Sequence, residues 1–177
     1  RVATGDPGGV ADLERAMEIA AAAHSHEEIG AAANLTWMNV VLGDMHRAGE
    51  LHELSRTLAR RLGVRGFIRW VEAEHTFHCY WEGRWDDALA AIDDYFQTIK
   101  GTAGHYMDGP CRAVRSAILL ARGRTQEALA EARLATERSR PVKDPQTINP
   151  VLAYEAQAAL VAGERAAAES LANELVE

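Results

Sequence analysis

The segment GRWDDALAAIDDYF (83–96) places a glycine directly before an amphipathic stretch, and GRTQEALAEARLATERS (123–139) repeats this arrangement 40 residues later. In the first segment, apolar residues recur at intervals of three and four, which is typical of a helix that buries one face. Glycine suits the left-handed position that ends one helix before a tight turn. The two segments therefore predict helix–turn–helix units that recur along the chain.

The same glycine spacing extends over most of the chain. Gly49, Gly83, Gly123 and Gly163 each lie between two helical segments, at spacings of 34, 40 and 40 residues. Apolar residues occupy the positions four before, five after and nine after each of these glycines. Self-similarity at such a period is typical of a solenoid, in which each helix pair buries its apolar face against the next pair.

Composition favours helix, because Ala, Leu, Glu and Arg dominate and sustained strand alternation is lacking. The pattern predicts helices at 10–23, 27–47, 50–62, 66–82, 85–99, 105–122, 125–138, 148–162 and 164–176, with the prolines at helix ends. We expect an all-α fold: a right-handed α-α superhelix of about four helix pairs plus an N-terminal half-repeat. It would form a single helical-repeat domain over residues 1–177.

Charge and hydropathy exclude several classes of function. The net charge of −7 argues against binding to a phosphate backbone, which requires clustered Lys and Arg. We therefore expect no direct nucleic-acid partner and, without a long apolar run, no membrane partner. Cys79 and Cys111 are too few and too far apart for a disulfide scaffold, so we expect a cytoplasmic location. The chain begins with Arg1, and we expect it to be a segment of a longer protein.

A glycine followed five residues later by alanine, at a period of 34 or somewhat more, resembles the tetratricopeptide repeat. The resemblance covers most of residues 27–177, although the Tyr four residues before glycine and the Trp eleven before it are replaced throughout. The longer period and the Ala/Arg-rich sequence are similar to helical regions of large bacterial signalling proteins. These are the repeats of nucleotide cyclases that also carry an ATPase module, and the MalT-like repeats of transcription regulators. The segments 11–51 and 69–89 look closer to the cyclase-linked group.

The resemblance also implies a binding groove, because the first helix of each tetratricopeptide pair lines a concave face. It places seven residues there: Asn39, His46, Arg47, Trp70, Phe77, Tyr80 and Trp81. Such a groove would be aromatic and apolar, with a polar patch beside it, and aromatic residues are frequent anchors of binding sites. In the alternative interpretation, the same aromatics fill the wedge between neighbouring helix pairs.

Three functions follow as hypotheses. The resemblance favours a non-enzymatic interaction module without a cofactor, whose partner is a protein, a peptide or another domain of the parent chain. An uncapped repeat end would also permit a homodimer. The second hypothesis is a small-molecule sensor that closes the aromatic groove over an apolar effector. The third is a metal-dependent enzyme that uses His75 and His78.

The candidate chemical motifs are weak. His75, His78 and Cys79 share one helix, but Cys79 occupies a position that is apolar in every repeat, so we expect no metal site. TGDPGGV (4–10) lacks the Lys-Ser/Thr of a phosphate-binding loop, and we interpret it as a linker or helix start. The basic residues between 56 and 69 are expected to form a solvated, salt-bridged face. They are Arg56, Arg60, Arg61, Arg65 and Arg69.

Overall fold

The computed structural model describes residues 8–101 and 104–176, and within these ranges it contains helices and turns but no strand. Its α-helices, in chain order, are α1 (Gly8–Ala22), α2 (Glu27–Leu42), α3 (Met45–Leu62), α4 (Arg65–Trp81), α5 (Trp85–Thr98), α6 (Asp108–Ala121), α7 (Thr125–Ser139), α8 (Pro145–Val161) and α9 (Arg165–Val176). A short 3-10 helix, Arg140–Val142, follows α7. The described part of the chain is all-α, as the composition predicts.

One backbone turn closes four successive helix pairs. It is built on Gly43, Gly83, Gly123 and Gly163, whose φ angles are +82°, +76°, +74° and +85°. Each glycine N–H donates to the carbonyl three residues earlier at 3.0–3.1 Å, and the next N–H donates to the carbonyl five residues earlier at 2.9 Å. This pair of bonds is the Schellman motif, which satisfies the last carbonyls of a helix and needs a left-handed residue.

The turn glycines lie 40 residues apart throughout, and the helices after them begin at Met45, Trp85, Thr125 and Arg165. The expectation that Gly49 forms the first turn is therefore wrong. Gly49 lies inside α3, and Gly43 supplies the left-handed residue. The helix predicted at 27–47 accordingly ends at Leu42. His46 and Arg47 lie in the first turn of α3, and not on the first helix of their pair.

With this register the repeat is more regular than the sequence analysis indicates. Five residues after each turn glycine stands a buried alanine: Ala48, Ala88, Ala128 and Ala168. Seven residues before each glycine stands a small side chain: Thr36, Thr76, Ser116 and Ala156. Small side chains let the backbones of two helices approach closely, and in the α6–α7 hairpin Ser116 Oγ donates directly to the Ala128 carbonyl at 2.8 Å.

The chain divides into two compact units, with the boundary inside α4. Unit 1 ends at His75 and unit 2 begins at Thr76. The core of unit 1 joins Ile29 of α2, Leu58 and Ala59 of α3, and Val71 of α4. Because all four are almost fully buried, each removes its apolar surface from water, and this burial stabilises the packing of α2, α3 and α4.

Unit 2 continues the sequential packing, with α6 against α7, α7 against α8, and α8 against α9. Ala113, Ala135 and Val151 form one core cluster from three consecutive helices. A second cluster joins α7, α8 and α9 and consists of Leu129, Ala132, Ala158, Ala159 and Ala168. Helices that neighbour in sequence thus pack in space, as a repeat array requires. The right-handed superhelix and the single domain stay predictions.

The helix predicted at 50–62 begins at Met45, and the remaining predicted helix ends lie within three residues of the observed ones. Pro150 contradicts the expectation that prolines mark helix ends, because α8 begins at Pro145 and contains Pro150. Residues 4–7 of the TGDPGGV stretch lie outside the described residues, and Gly8 begins α1. Within residues 8–101 and 104–176, no helix combines the length and apolar character needed to cross a bilayer.

Candidate functional site

The polar residues expected in the groove lie in unit 1 and bond mainly to their own helices. Asn39 is half-buried in α2, and its Nδ2 donates to the Leu35 carbonyl at 2.8 Å. The backbone N–H of Arg47 donates to Asp44 Oδ1 at 3.0 Å, and its Nη1 donates to Glu50 at 2.9 Å. His46 is exposed beside Glu50. His46 and Arg47 therefore belong to the N-terminal turn of α3, which Asp44 caps.

Trp70 is half-buried in α4 and has polar and aromatic partners within unit 1. Its ring lies 5.8 Å from that of Phe67, and its indole N–H donates to the Glu74 carboxyl one turn later. Burial raises the pKa of Glu74 to about 8, against the opposing effect of this hydrogen bond. The residue as a whole is half-buried, but its Oε2 is shielded from solvent and has no hydrogen-bond partner among the described residues.

The three remaining groove candidates lie in unit 2, and all three are half-buried. Phe77 and Trp81 are one helical turn apart, with ring centroids at 5.7 Å. Tyr80 stacks on Trp85 at 6.4 Å and bonds to the hydroxyl of Tyr154, whose pKa is raised by burial and by Tyr80. These contacts are compatible with the groove and with the wedge interpretation, and both stay open.

The 40-residue register identifies exposed apolar residues that the sequence analysis missed. Trp37 and Val41 of α2 occupy the repeat positions of Phe77 and Trp81, six and two residues before the turn glycine. Trp37 is 48% exposed and Val41 is 66% exposed. The position two before glycine is apolar in every repeat and holds Val41, Trp81, Ala121 and Val161, of which only Trp81 is half-buried and the others are exposed. The misplaced first turn hid this equivalence.

Two histidines meet in unit 1. His52 Nε2 of α3 lies 3.1 Å from His75 Nδ1 of α4, and the two rings are parallel within 2°. Together with Glu53, they offer one ligand atom each within 4.8 Å of the others. His52 was missed because the Gly49 alignment put Leu58 in its place. In the Gly43 register it stands nine residues after glycine, where the other repeats have Ile92, Ala132 and Ala172.

Two of the five arginines of the basic cluster, Arg56 and Arg60, form the ion pairs that the sequence predicts. Arg56 donates to Glu53 at 2.9 Å and to Glu72 at 3.2 Å, and Arg60 donates to Glu72 at 2.7 Å. Burial by itself would lower the pKa of Arg56, but the hydrogen bonds and charges of Glu53 and Glu72 raise it above its ordinary value. Glu53 and Glu72 thus neutralise part of the positive charge of the cluster.

His75, His78 and Cys79, which share α4, do not form a common site. His75 contacts His52 in unit 1, whereas His78 Nε2 lies 3.2 Å from Glu82 in unit 2. Neither Cys79 nor Cys111 forms a disulfide, and neither has exposed surface. Burial raises the pKa of both thiols, that of Cys111 to about 12, so they are held in the protonated, unreactive form.

A buried polar network in unit 2 holds the start of α6. The Tyr95 hydroxyl donates to Asp108 Oδ1 at 2.7 Å, and the His105 backbone N–H donates to Asp108 Oδ2 at 3.1 Å. His105 Nδ1 in turn accepts from the Met107 backbone N–H at 3.3 Å. Since these bonds satisfy buried polar groups around the α5–α6 connection, the network is best explained by local structure.

An open groove of about 400 Å³ in unit 2 lies over α5, α6 and α7. Its lining is aliphatic and charged: Leu89, Asp93, Arg115, Leu119, Arg124, Glu127, Ala130 and Glu131. Ion pairs connect the three helices along the groove: Arg115 of α6 bonds to Asp93 of α5 and lies 3.8 Å from Glu131 of α7. This lining differs from the convergent aromatics that the small-molecule hypothesis requires.

Comparison of the chain with protein-family models, curated proteins and solved structures finds no match.

Proposed function

We propose that this chain is a helical-repeat interaction module that binds a protein or peptide through apolar side chains on the first helix of its hairpins. The proposal rests on the exposed apolar pair Trp37 and Val41 on α2. They are four residues apart and therefore share one face of the helix. Large apolar side chains in contact with water at one turn's spacing are a common feature of protein-binding surfaces.

The recurrence of one of these two positions supports the proposal. Val161 of α8 stands at the position of Val41 and is likewise exposed, whereas Gln157 stands at the position of Trp37. Packing within a hairpin explains why the alanine five residues after each turn glycine is buried. It does not explain why the position two residues before that glycine is apolar in every repeat although it is exposed in three of the four. A binding surface presented by each repeat explains it.

The setting of the module follows from the resemblance. Repeats beside nucleotide cyclase and ATPase modules, or in MalT-like regulators, would pass the binding of a partner to an output domain of the same bacterial signalling protein. Two unbridged, buried cysteines favour a reducing compartment, so we place the protein in the cytoplasm.

A peptide-display selection tests the proposal. The immobilised chain is panned against a random peptide library, and enriched peptides are measured against the wild-type chain and the Val41→Glu variant. Val41 is exposed, so the substitution leaves the fold intact while it places a charge on the proposed surface. We expect peptides with apolar anchors whose affinity falls by at least about tenfold on Val41→Glu.

The matched control is Thr57→Glu, which adds the same charge at an exposed position of α3 in the same unit. Peptides should bind this variant as they bind the wild type. A selection that enriches nothing, or peptides that bind Val41→Glu as tightly as the wild type, would refute the proposal.

A further inference from the structure

His52 and His75 face each other edge to edge. The ring centroids are 5.3 Å apart and the facing nitrogens 3.1 Å, a difference of about 2 Å that corresponds to two ring radii. With planes parallel within 2°, the lone pair or proton of each nitrogen points towards the other ring. The contact is therefore made through the nitrogens, the atoms that bind metal ions, and not through the ring faces.

The nitrogen separation fits two ligands of one ion. Imidazole nitrogens bind Zn²⁺ at about 2.0–2.1 Å, so two of them in tetrahedral geometry lie about 3.3 Å apart. The observed 3.1 Å needs to open by only about 0.2 Å, but each ring must also tilt by about 35° so that both lone pairs converge on the ion, which replaces the proton between the rings. The two nitrogens thus have nearly the spacing of two ligands of one ion, and binding requires a change in ring orientation more than in distance.

Glu53 supplies a third ligand and an access route. It follows His52 in α3, and one ligand atom from each of the three residues lies within 4.8 Å of the others. His52 is 1% exposed, His75 is half-buried and Glu53 is exposed. An ion would therefore enter from the Glu53 side, where water can complete its coordination.

The ion pairs around Glu53 permit this movement. Glu53 Oε1 accepts from Arg56 Nη1 at 2.9 Å, and Arg56 has a second acceptor, Glu72, at 3.2 Å. If the Glu53 carboxylate turns to a metal ion, Arg56 keeps its bond to Glu72. The cost of releasing Glu53 is small, because the exposed partner of a salt bridge contributes little to stability.

We propose that His52, His75 and Glu53 bind one divalent transition-metal ion, Zn²⁺ by preference, with water as the remaining ligand. Two imidazoles and one carboxylate are a donor set that suits Zn²⁺ and leaves its fourth position open. The ion links α3 to α4 inside unit 1, so its binding also stabilises the folded chain.

Calorimetric titration of the chelator-treated chain with ZnCl₂ tests the site, with Co²⁺ absorption as a second readout of tetrahedral nitrogen ligation. We expect one ion per chain and a raised thermal midpoint in the presence of Zn²⁺. His75→Gln, which retains a polar side chain at a half-buried position, should weaken Zn²⁺ binding at least about a hundredfold and abolish the midpoint shift. Glu53→Gln should weaken it about tenfold.

His46→Ala is the matched control, since His46 is an exposed α3 histidine 3.9 Å from Glu50. It should bind Zn²⁺ as the wild type does. Circular dichroism of His75→Gln separates loss of the site from loss of the fold. The proposal is overturned if folded His75→Gln keeps wild-type affinity, if His46→Ala weakens binding as much, or if the wild type binds no ion at micromolar concentration.

Discussion

Gly109 of α6 lies against Ser139 of α7 with no room between them: a Cβ built on Gly109 would come within 2.0 Å of the Ser139 Oγ. The same Cβ would lie 2.7 Å from the carbonyl oxygen of Ala135, which belongs to the α7 backbone and cannot rotate away. The first turn of α6 therefore packs directly on α7, and the hairpin depends on the missing side chain.

Gly109→Ala should lower the free energy of unfolding by about 1–3 kcal/mol, because the added methyl group forces α6 and α7 apart. Urea unfolding followed by circular dichroism measures the change. Gly66→Ala in the first turn of α4 is the control, since a Cβ there meets no atom of the described structure within 4 Å. It should gain about 0.5–1 kcal/mol from the ordinary preference of helices for alanine. Equal effects of the two variants would contradict the close approach.

The turn glycines are required for their backbone conformation and not for space. Gly123 has φ +74°, and a Cβ built on it meets nothing within 4 Å. Gly123→Ala should cost about 1 kcal/mol, because alanine disfavours the left-handed region. Gly123→Asn should cost less, since asparagine tolerates that region. Denaturant midpoints of the two variants check the order, and a midpoint for Gly123→Asn below that of Gly123→Ala would argue against it.

The sequence predicts the helices well and the first repeat poorly, for a physical reason. Helical periodicity and glycine stops are local signals, so α4 to α9 emerge close to their observed ends. Gly43 and Gly49 are both glycines beside a helical pattern, and only the backbone shows which one adopts the left-handed conformation. The choice of Gly49 shifted the whole first repeat and hid the meeting of His52 with His75. That contact joins two residues 23 apart in sequence, on consecutive helices, and no local pattern encodes it.

The buried alanine five residues after each turn glycine offers a direct test of the 40-residue register. Ala128 has no exposed surface, and its carbonyl accepts a hydrogen bond from Ser116 Oγ at 2.8 Å. Ala128→Leu should destabilise unit 2 by about 1–3 kcal/mol or more, because the larger side chain separates α6 from α7. Ala130→Leu, two residues later and exposed, should change stability by less than about 0.5 kcal/mol. If both variants unfold at the same urea concentration, Ala128 does not set the helix spacing.

Glu74 should make stability depend on pH. Its pKa rises from 4.5 in the unfolded reference to about 8 in the folded chain, chiefly through burial. Between pH 4.5 and 8 the folded state keeps the Glu74 proton that the unfolded state has released. The stability that this proton contributes is therefore fully present below pH 4.5 and is lost as the pH rises towards 8. As the pH rises, the free energy of unfolding of the wild type should therefore fall relative to that of Glu74→Gln, by at most about 1.4 kcal/mol per pH unit. Urea titrations of both proteins from pH 5 to 9 give the difference directly.

A second variant separates the two effects on the pKa of Glu74, which burial raises and the Trp70 hydrogen bond lowers. Trp70→Phe removes the indole N–H that donates to the carboxyl and lowers its pKa. Without this donor the charged form loses its hydrogen bond, so the pKa rises further and the fall in stability should extend to higher pH than in the wild type. Comparing Trp70→Phe with the double variant Trp70→Phe/Glu74→Gln cancels the packing change at Trp70. A pH-independent difference within that pair, or one that grows towards low pH, would show that the Glu74 carboxyl stays in contact with water.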